Sequence, residues 1–237
     1  MSMMGMTAIL IAIYFSCVIF TVAFLSDSNV KIANAIFIIL NVAFYLALNV
    51  CIFKNNNRFR YMVFENISPF TFTFISLLPF MNGKVKEYFK NAIAFLCIGM
   101  IVAMMITPQY AYLFSFKEEA GMDYLFDALC HLNCSLFGIY LVVSGQVKLD
   151  GKSFLKAVIF MYTVITAVVI LNFIFHTNNF GMCPYGGYSI YMFNLFEDYV
   201  PTLIAYYLGV LVVLYIGFEF NYALNKINGL TKTFIKK

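Results

Sequence analysis

Seven apolar runs constrain this chain more than any other feature. They lie at about 6–26, 32–53, 61–81, 91–108, 124–145, 154–175 and 201–222, and about 20 predominantly apolar residues suffice to cross a bilayer. Lipid offers no hydrogen-bond partners, so a single segment of this kind crosses as a helix. The connections hold most of the polarity: SDSNV, KNNNRFR, NGKVKE, QYAYLFSFKEEAGMD, QVKLDGKS, and a long segment from His176 to Val200. The expectation is an all-α fold, a polytopic bundle of seven transmembrane helices over 1–237, with 223–237 as a basic cytoplasmic tail.

Composition agrees. Hydrophobic residues make up 63% and charged ones 11%, where an ordinary soluble domain is about 25% charged. The net charge of +4 sits in short loops and the tail, so it speaks of topology and not of a nucleic-acid partner. With the N-terminus outside, the inner connections hold Lys31, Lys84, Lys86, Lys90, Lys148, Lys152 and Lys156, and the tail adds Lys226, Lys232, Lys236 and Lys237. Only Lys54, Arg58, Arg60 and Lys117 fall outside. The positive-inside bias therefore selects N-terminus out and C-terminus in, with KNNNRFR running against it.

Abundant Ile, Phe, Asn, Lys and Tyr without Trp suggests an AT-rich coding sequence and a bacterial plasma membrane. No Lys or Arg precedes the first run and no small-residue cleavage site follows it, so it reads as a retained helix rather than a signal peptide. The six cysteines show neither CxxC nor zinc spacing, and five lie in apolar runs as small hydrophobes. Cys183 stands alone outside, which leaves it no partner for an intrachain disulfide. No metal or cofactor is expected.

The fifth run carries the chemistry. Asp127, His131, Cys134 and Gly138 recur at i, i+4, i+7 and i+11, so a helix places them on one stripe. A carboxylate and an imidazole inside a bilayer are costly unless they face protein or water, and such a pair marks a functional site by default. Small and polar residues also serve as packing and hydrogen-bonding glue between membrane helices.

The N-out orientation brings further polar groups to the same level. Glu65 and Asn66, Thr107 and Pro108, Asn172 and His176, and Glu197, Asp198 and Thr202 all fall at outer helix ends. His131 would lie about 10 Å in from its helix start, which points to a chamber opening towards the outer leaflet. Pro69 removes a backbone donor from the third helix and frees a carbonyl near Glu65. Thr73 shares a face there with Asn66, Pro69 and Ser76. The segment HTNNFGMCPYGGYSIYMFN is long for a connection and suggests a lid or re-entrant loop. No phosphate-binding loop, HExxH, GxSxG or internal repeat occurs.

From about Phe64 to Tyr215 the chain resembles the YwaF-type integral membrane proteins, a bacterial family. That family is distantly similar to membrane acyltransferases that use a cysteine and to fatty-acid-ester hydrolases that use a threonine and a histidine. GMIVAMMITP at 99–108 looks like the family's GG-x-x-x-A-L-L-T-P, His131 like its fifth-helix histidine, NFIF at 172–175 like its Asn-Tyr-Met-Phe, and Pro201 like a proline opening the last helix. The family's P-x-H-x-C reads here as Pro69, Phe70, Thr71, Phe72, Thr73, so Thr71 and Thr73 replace its His and Cys. The resemblance thus implies a Thr73/His131 pair in place of a cysteine nucleophile.

Three functions follow. In the first, His131 oriented by Asp127 is the general base of a lipid acyltransferase or ester hydrolase. Thr73 is its nucleophile by resemblance or Cys134 by spacing, and Glu65, Asn66, Thr71, Asn172 and His176 line the substrate. Asn66 and Asn172 would donate to an oxyanion. In the second, an acidic mouth of Glu65, Asp127, Glu197 and Asp198 attracts a cation for binding or transport. In the third, the chain is a non-catalytic subunit of a membrane complex. Membrane lipids are the expected partners in the first.

Overall fold

The computed structural model describes residues 3–25, 29–56, 67–106, 122–176, 180 and 199–235. Among them the regular structure is helical throughout: α1 (Met3–Phe20, continued by a wider π turn at Thr21–Leu25), α2 (Val30–Asn56), α3 (Ile67–Leu77, closed by a tight 3-10 turn at Leu78–Phe80), α4 (Gly83–Ile106), α5 (Met122–Val143), α6 (Gly151–Phe175) and α7 (Tyr199–Ile235). Each apolar run overlaps one of these helices within its described residues. Among the described residues four stretches are long and apolar enough to cross a membrane, namely Val30–Lys54, Met122–Val143, Gly151–Phe175 and Leu203–Ile227. Ala12–Leu25 and Ile67–Phe80 are shorter apolar helices.

Two boundaries differ from the expectation. α4 begins at Gly83 and not near 91, because Lys and Glu are good helix formers that hydropathy alone leaves in the loop. α7 continues to Ile235, through most of what reads as a tail. Leu224, Ile227, Leu230 and Phe234 recur there at helical spacing without a proline, and this periodicity outweighs the polar composition.

Local signals set several ends. Asn29 caps α2, its Oδ1 accepting from the Lys31 and Ile32 N–H groups at 3.0 and 3.4 Å. Asp150 caps α6 by accepting from the Ser153 N–H at 2.8 Å. Gly145, at φ +73°, takes the left-handed conformation that turns the chain after α5.

α5 is the centre of the bundle. Of its most apolar 18-residue stretch 72% is buried, against 22% in each of the other three candidate spans. It packs chiefly on α4 and α2, while α6 and α7 close around α4. Two glycines allow another helix's backbone to come close. A Cβ on Gly138 would lie 2.7 Å from the Ile93 carbonyl oxygen of α4, and one on Gly217 of α7 would run into the Phe95 carbonyl. Around α5, Phe37 stacks at 5.3 Å on both Phe137 and Tyr140.

One end of the bundle collects the starts of α2, α4 and α6 with the end of α5. Asn34 and Gln146 exchange side-chain bonds of 2.9 and 3.1 Å, and the Lys90 ammonium donates to Gln146 Oε1 at 2.7 Å. Lys156 pairs with Glu87 at 2.6 Å. Consecutive helices from α4 to α6 therefore run in opposite directions, and the lysines of alternate connections gather at this end.

Candidate functional site

The polar residues of α5 divide among three neighbours. Asn133 Nδ2 donates to the Phe37 carbonyl of α2 at 3.0 Å. Ser135 Oγ lies 3.0 Å from the Tyr14 hydroxyl of α1. His131 turns to α3, where its Nε2 lies 3.0 Å from Ser68 Oγ. Each group spends its polarity on a different helix, so α5 is pinned on three sides.

The imidazole of His131 is held from both ends and above. Nδ1 is 2.8 Å from the Asp127 carbonyl oxygen one turn back and 3.4 Å from the Asp127 carboxylate oxygen Oδ1. The Phe72 ring meets the imidazole edge to face with centroids 5.1 Å apart. A carbonyl only accepts, so the 2.8 Å contact puts the proton on Nδ1. In the neutral ring Nε2 then carries the lone pair, and the Ser68 hydroxyl donates to it. Met100 Sδ, 3.8 Å from the same hydroxyl, is a weak thioether acceptor. Carboxylate, imidazole and hydroxyl thus form a chain in the order a general base requires.

The residues singled out in the sequence fall in several places. Asp127 and His131 come together and are buried. Thr73 is engaged elsewhere, its hydroxyl donating to the Pro69 carbonyl at 2.9 Å and lying 3.3 Å from the Tyr45 hydroxyl. The imidazole's hydroxyl partner is therefore Ser68. The two residues are five apart, which turns them about 140° from each other around a helix. Thr71 is buried with its hydroxyl on the Ile67 carbonyl at 2.7 Å. Cys134 is buried one turn beyond His131. Asn172 is buried on α6, the helix that packs on α4 and α7. His176 is exposed and closes α6 in the left-handed conformation at φ 52°. Glu65, Asn66, Thr107, Pro108, Glu197 and Asp198, with most of 176–200, lie outside the described residues. Pro69 stands in the first turn of α3, where a missing N–H breaks no helical bond.

Ser68 carried a signal in the sequence. It lies seven residues after the start of the third apolar run, and His131 lies seven after the start of the fifth. In the expected alternating topology both runs point the same way, which would put the two residues at one level.

An all-helical bundle with four helices of spanning length and apolarity has the character of a membrane protein. Comparison of the chain with models of protein families, with curated proteins and with solved structures returned no match.

Proposed function

We propose that the chain is a seven-crossing protein of a bacterial plasma membrane, N-terminus out and C-terminus in, related to the YwaF-type proteins. In this reading Asp127, His131 and Ser68 form an acid–base relay for acyl transfer from, or hydrolysis of, a lipid ester. The observation that carries it is the 3.0 Å approach of Ser68 Oγ to His131 Nε2 with the Asp127 carboxylate oxygen 3.4 Å behind Nδ1. Ser68 Oγ adds to the ester carbonyl carbon while its proton passes to Nε2, and His131 returns that proton to the departing alkoxide. Water or a second hydroxyl then takes the acyl group from Ser68, the first outcome being a hydrolase and the second an acyltransferase. Asp127 holds the ring in the accepting tautomer and balances the charge that His131 gains. The resemblance to hydroxyl-and-histidine hydrolases supports the same chemistry, with Ser68 in the role the resemblance gives to Thr73.

The test is labelling by a fluorophosphonate, which bonds to an activated serine. The folded protein in detergent should form an adduct that mass spectrometry assigns to Ser68. Ser68→Ala and His131→Gln should both abolish it. An unlabelled wild type, or an equal adduct in Ser68→Ala, overturns the reading.

A second reading has its own observation. The imidazole is 5% exposed and bonded at both nitrogens, which suits a pin between α3 and α5 in a structural subunit. That reading expects Ser68→Ala to cost about 0.6–2 kcal/mol of stability without any adduct in the wild type.

A further inference from the structure

At the lysine-rich end, the α5–α6 connection and α7 enclose a cleft of about 560 Å³, within the range of about 300–1,000 Å³ usual for small-ligand sites. Part of its wall is apolar, from Val147, Leu149 and Tyr222, and its polar groups include Lys148, Asn225 and Lys226. None of the described residues lining it is acidic.

The two lysines differ from their neighbours. Lys90 donates to Gln146 and Lys156 pairs with Glu87 on the surface, so those ammonium groups already have partners. Among the described residues Lys148 and Lys226 make no hydrogen bond or salt bridge. Asp150 lies close in sequence, but its carboxylate is turned to the start of α6, where it accepts from the Ser153 N–H. Two ammonium groups and an amide therefore line one cleft, presented by α7 and the α5–α6 connection, and the Asp150 carboxylate, whose charge is felt by Lys148, is not part of the lining.

We propose that this cleft binds a phosphate-bearing anion, with Lys148 and Lys226 supplying charge and the Asn225 amide a directed donor. The apolar wall accommodates the glycerol and first methylene groups of a phospholipid or the carbon skeleton of a soluble phosphate ester. A lipid source rests on the orientation above, which puts this end at the inner leaflet. It does not rest on the Ser68 relay.

The experiment compares wild type with the double variant Lys148→Gln/Lys226→Gln. Phosphatidylglycerol and phosphatidylcholine are titrated in detergent and bound lipid is counted by native mass spectrometry, while glycerol 3-phosphate is titrated against the melting temperature. A lysine near an anionic group is worth about fivefold in affinity, so loss of both should weaken binding about thirtyfold. A drop of this size for phosphatidylglycerol alone identifies a lipid headgroup. A drop for glycerol 3-phosphate alone identifies a soluble phosphate ester. Lys148→Arg/Lys226→Arg, which keeps the charge, should restore either. If neither phosphate compound separates the double variant from wild type, or if phosphatidylcholine binds wild type as well as phosphatidylglycerol and glycerol 3-phosphate has no effect, the proposal is overturned. Should the double variant fold poorly, Lys226→Gln alone carries the same test with about a fivefold loss.

Discussion

Gly138→Ala should destabilise the protein even though alanine is the better helix former. The substitution lies on α5, where the new Cβ would meet the Ile93 carbonyl oxygen at 2.7 Å and Cys97 Cβ at 2.8 Å. Ordinary contact begins near 3.4 Å, and the first obstacle is helix backbone, which cannot swing aside as a side chain does. α4 and α5 must therefore part by about 0.7 Å, enough to forfeit roughly a quarter to a half of the dispersion attraction along the seam. Alanine gains about 1 kcal/mol in helix propensity, whereas overpacking a tight contact costs about 1–3 kcal/mol. Because two neighbours obstruct the methyl group at once, the upper part of that range applies and the net loss is about 1–2 kcal/mol. Reversible unfolding in mixed micelles would measure it. Gly151→Ala at the start of α6 provides the control, since nothing lies within 4 Å of a Cβ there, and it should be neutral or slightly stabilising. A Gly138→Ala protein as stable as wild type would refute the close seam between α4 and α5.

Asn133→Ala removes the bond to the Phe37 carbonyl and should cost about 0.6–2 kcal/mol in the same unfolding assay; no loss would mean that α2 is not pinned through this amide. For Asp150, bonds from the Ser153 N–H first and the Ser153 side chain next hold the carboxyl below its usual range. A depressed value means that its contribution is complete above the ordinary carboxylate pKa of about 3.9 and is lost as pH falls through the lowered one. Hydrogen exchange in the first turn of α6, corrected for its intrinsic pH dependence, should therefore stay constant from neutral pH down to about 4 and accelerate below. Asp150→Ala should show faster exchange without that acid limb, and loss of protection already at pH 5–6 would show that another group controls this helix start.

The helices were legible because their signals are local. Apolar runs of spanning length and the alternation of lysine-bearing connections can both be read without knowing which helix lies beside which. The stripe on α5 was legible for the same reason, since the pairing of Asp127 with His131 depends only on the repeat of one helix. Where composition and periodicity disagreed, at the start of α4 and the end of α7, the repeat of helix-forming and apolar residues set the boundary.

The partner of His131 was another matter. Thr73 shares a face with the conspicuous polar residues of the third run, yet its hydroxyl turns to Pro69 and Tyr45. Ser68 reaches the imidazole across 63 residues of sequence, a relation that depends on how α3 is rotated against α5. In the same way the cleft of Lys148 and Lys226 exists only because α7 returns beside the α5–α6 connection. The sequence alone determined that this chain forms apolar helices, where they lie, and that one of them carries a buried carboxylate and imidazole, because these follow from composition and a single helical repeat. Only the tertiary structure decided that α5 sits at the centre, which hydroxyl faces His131, and which lysines line the cleft beside α7, because each is fixed by the rotation and approach of helices far apart in the chain.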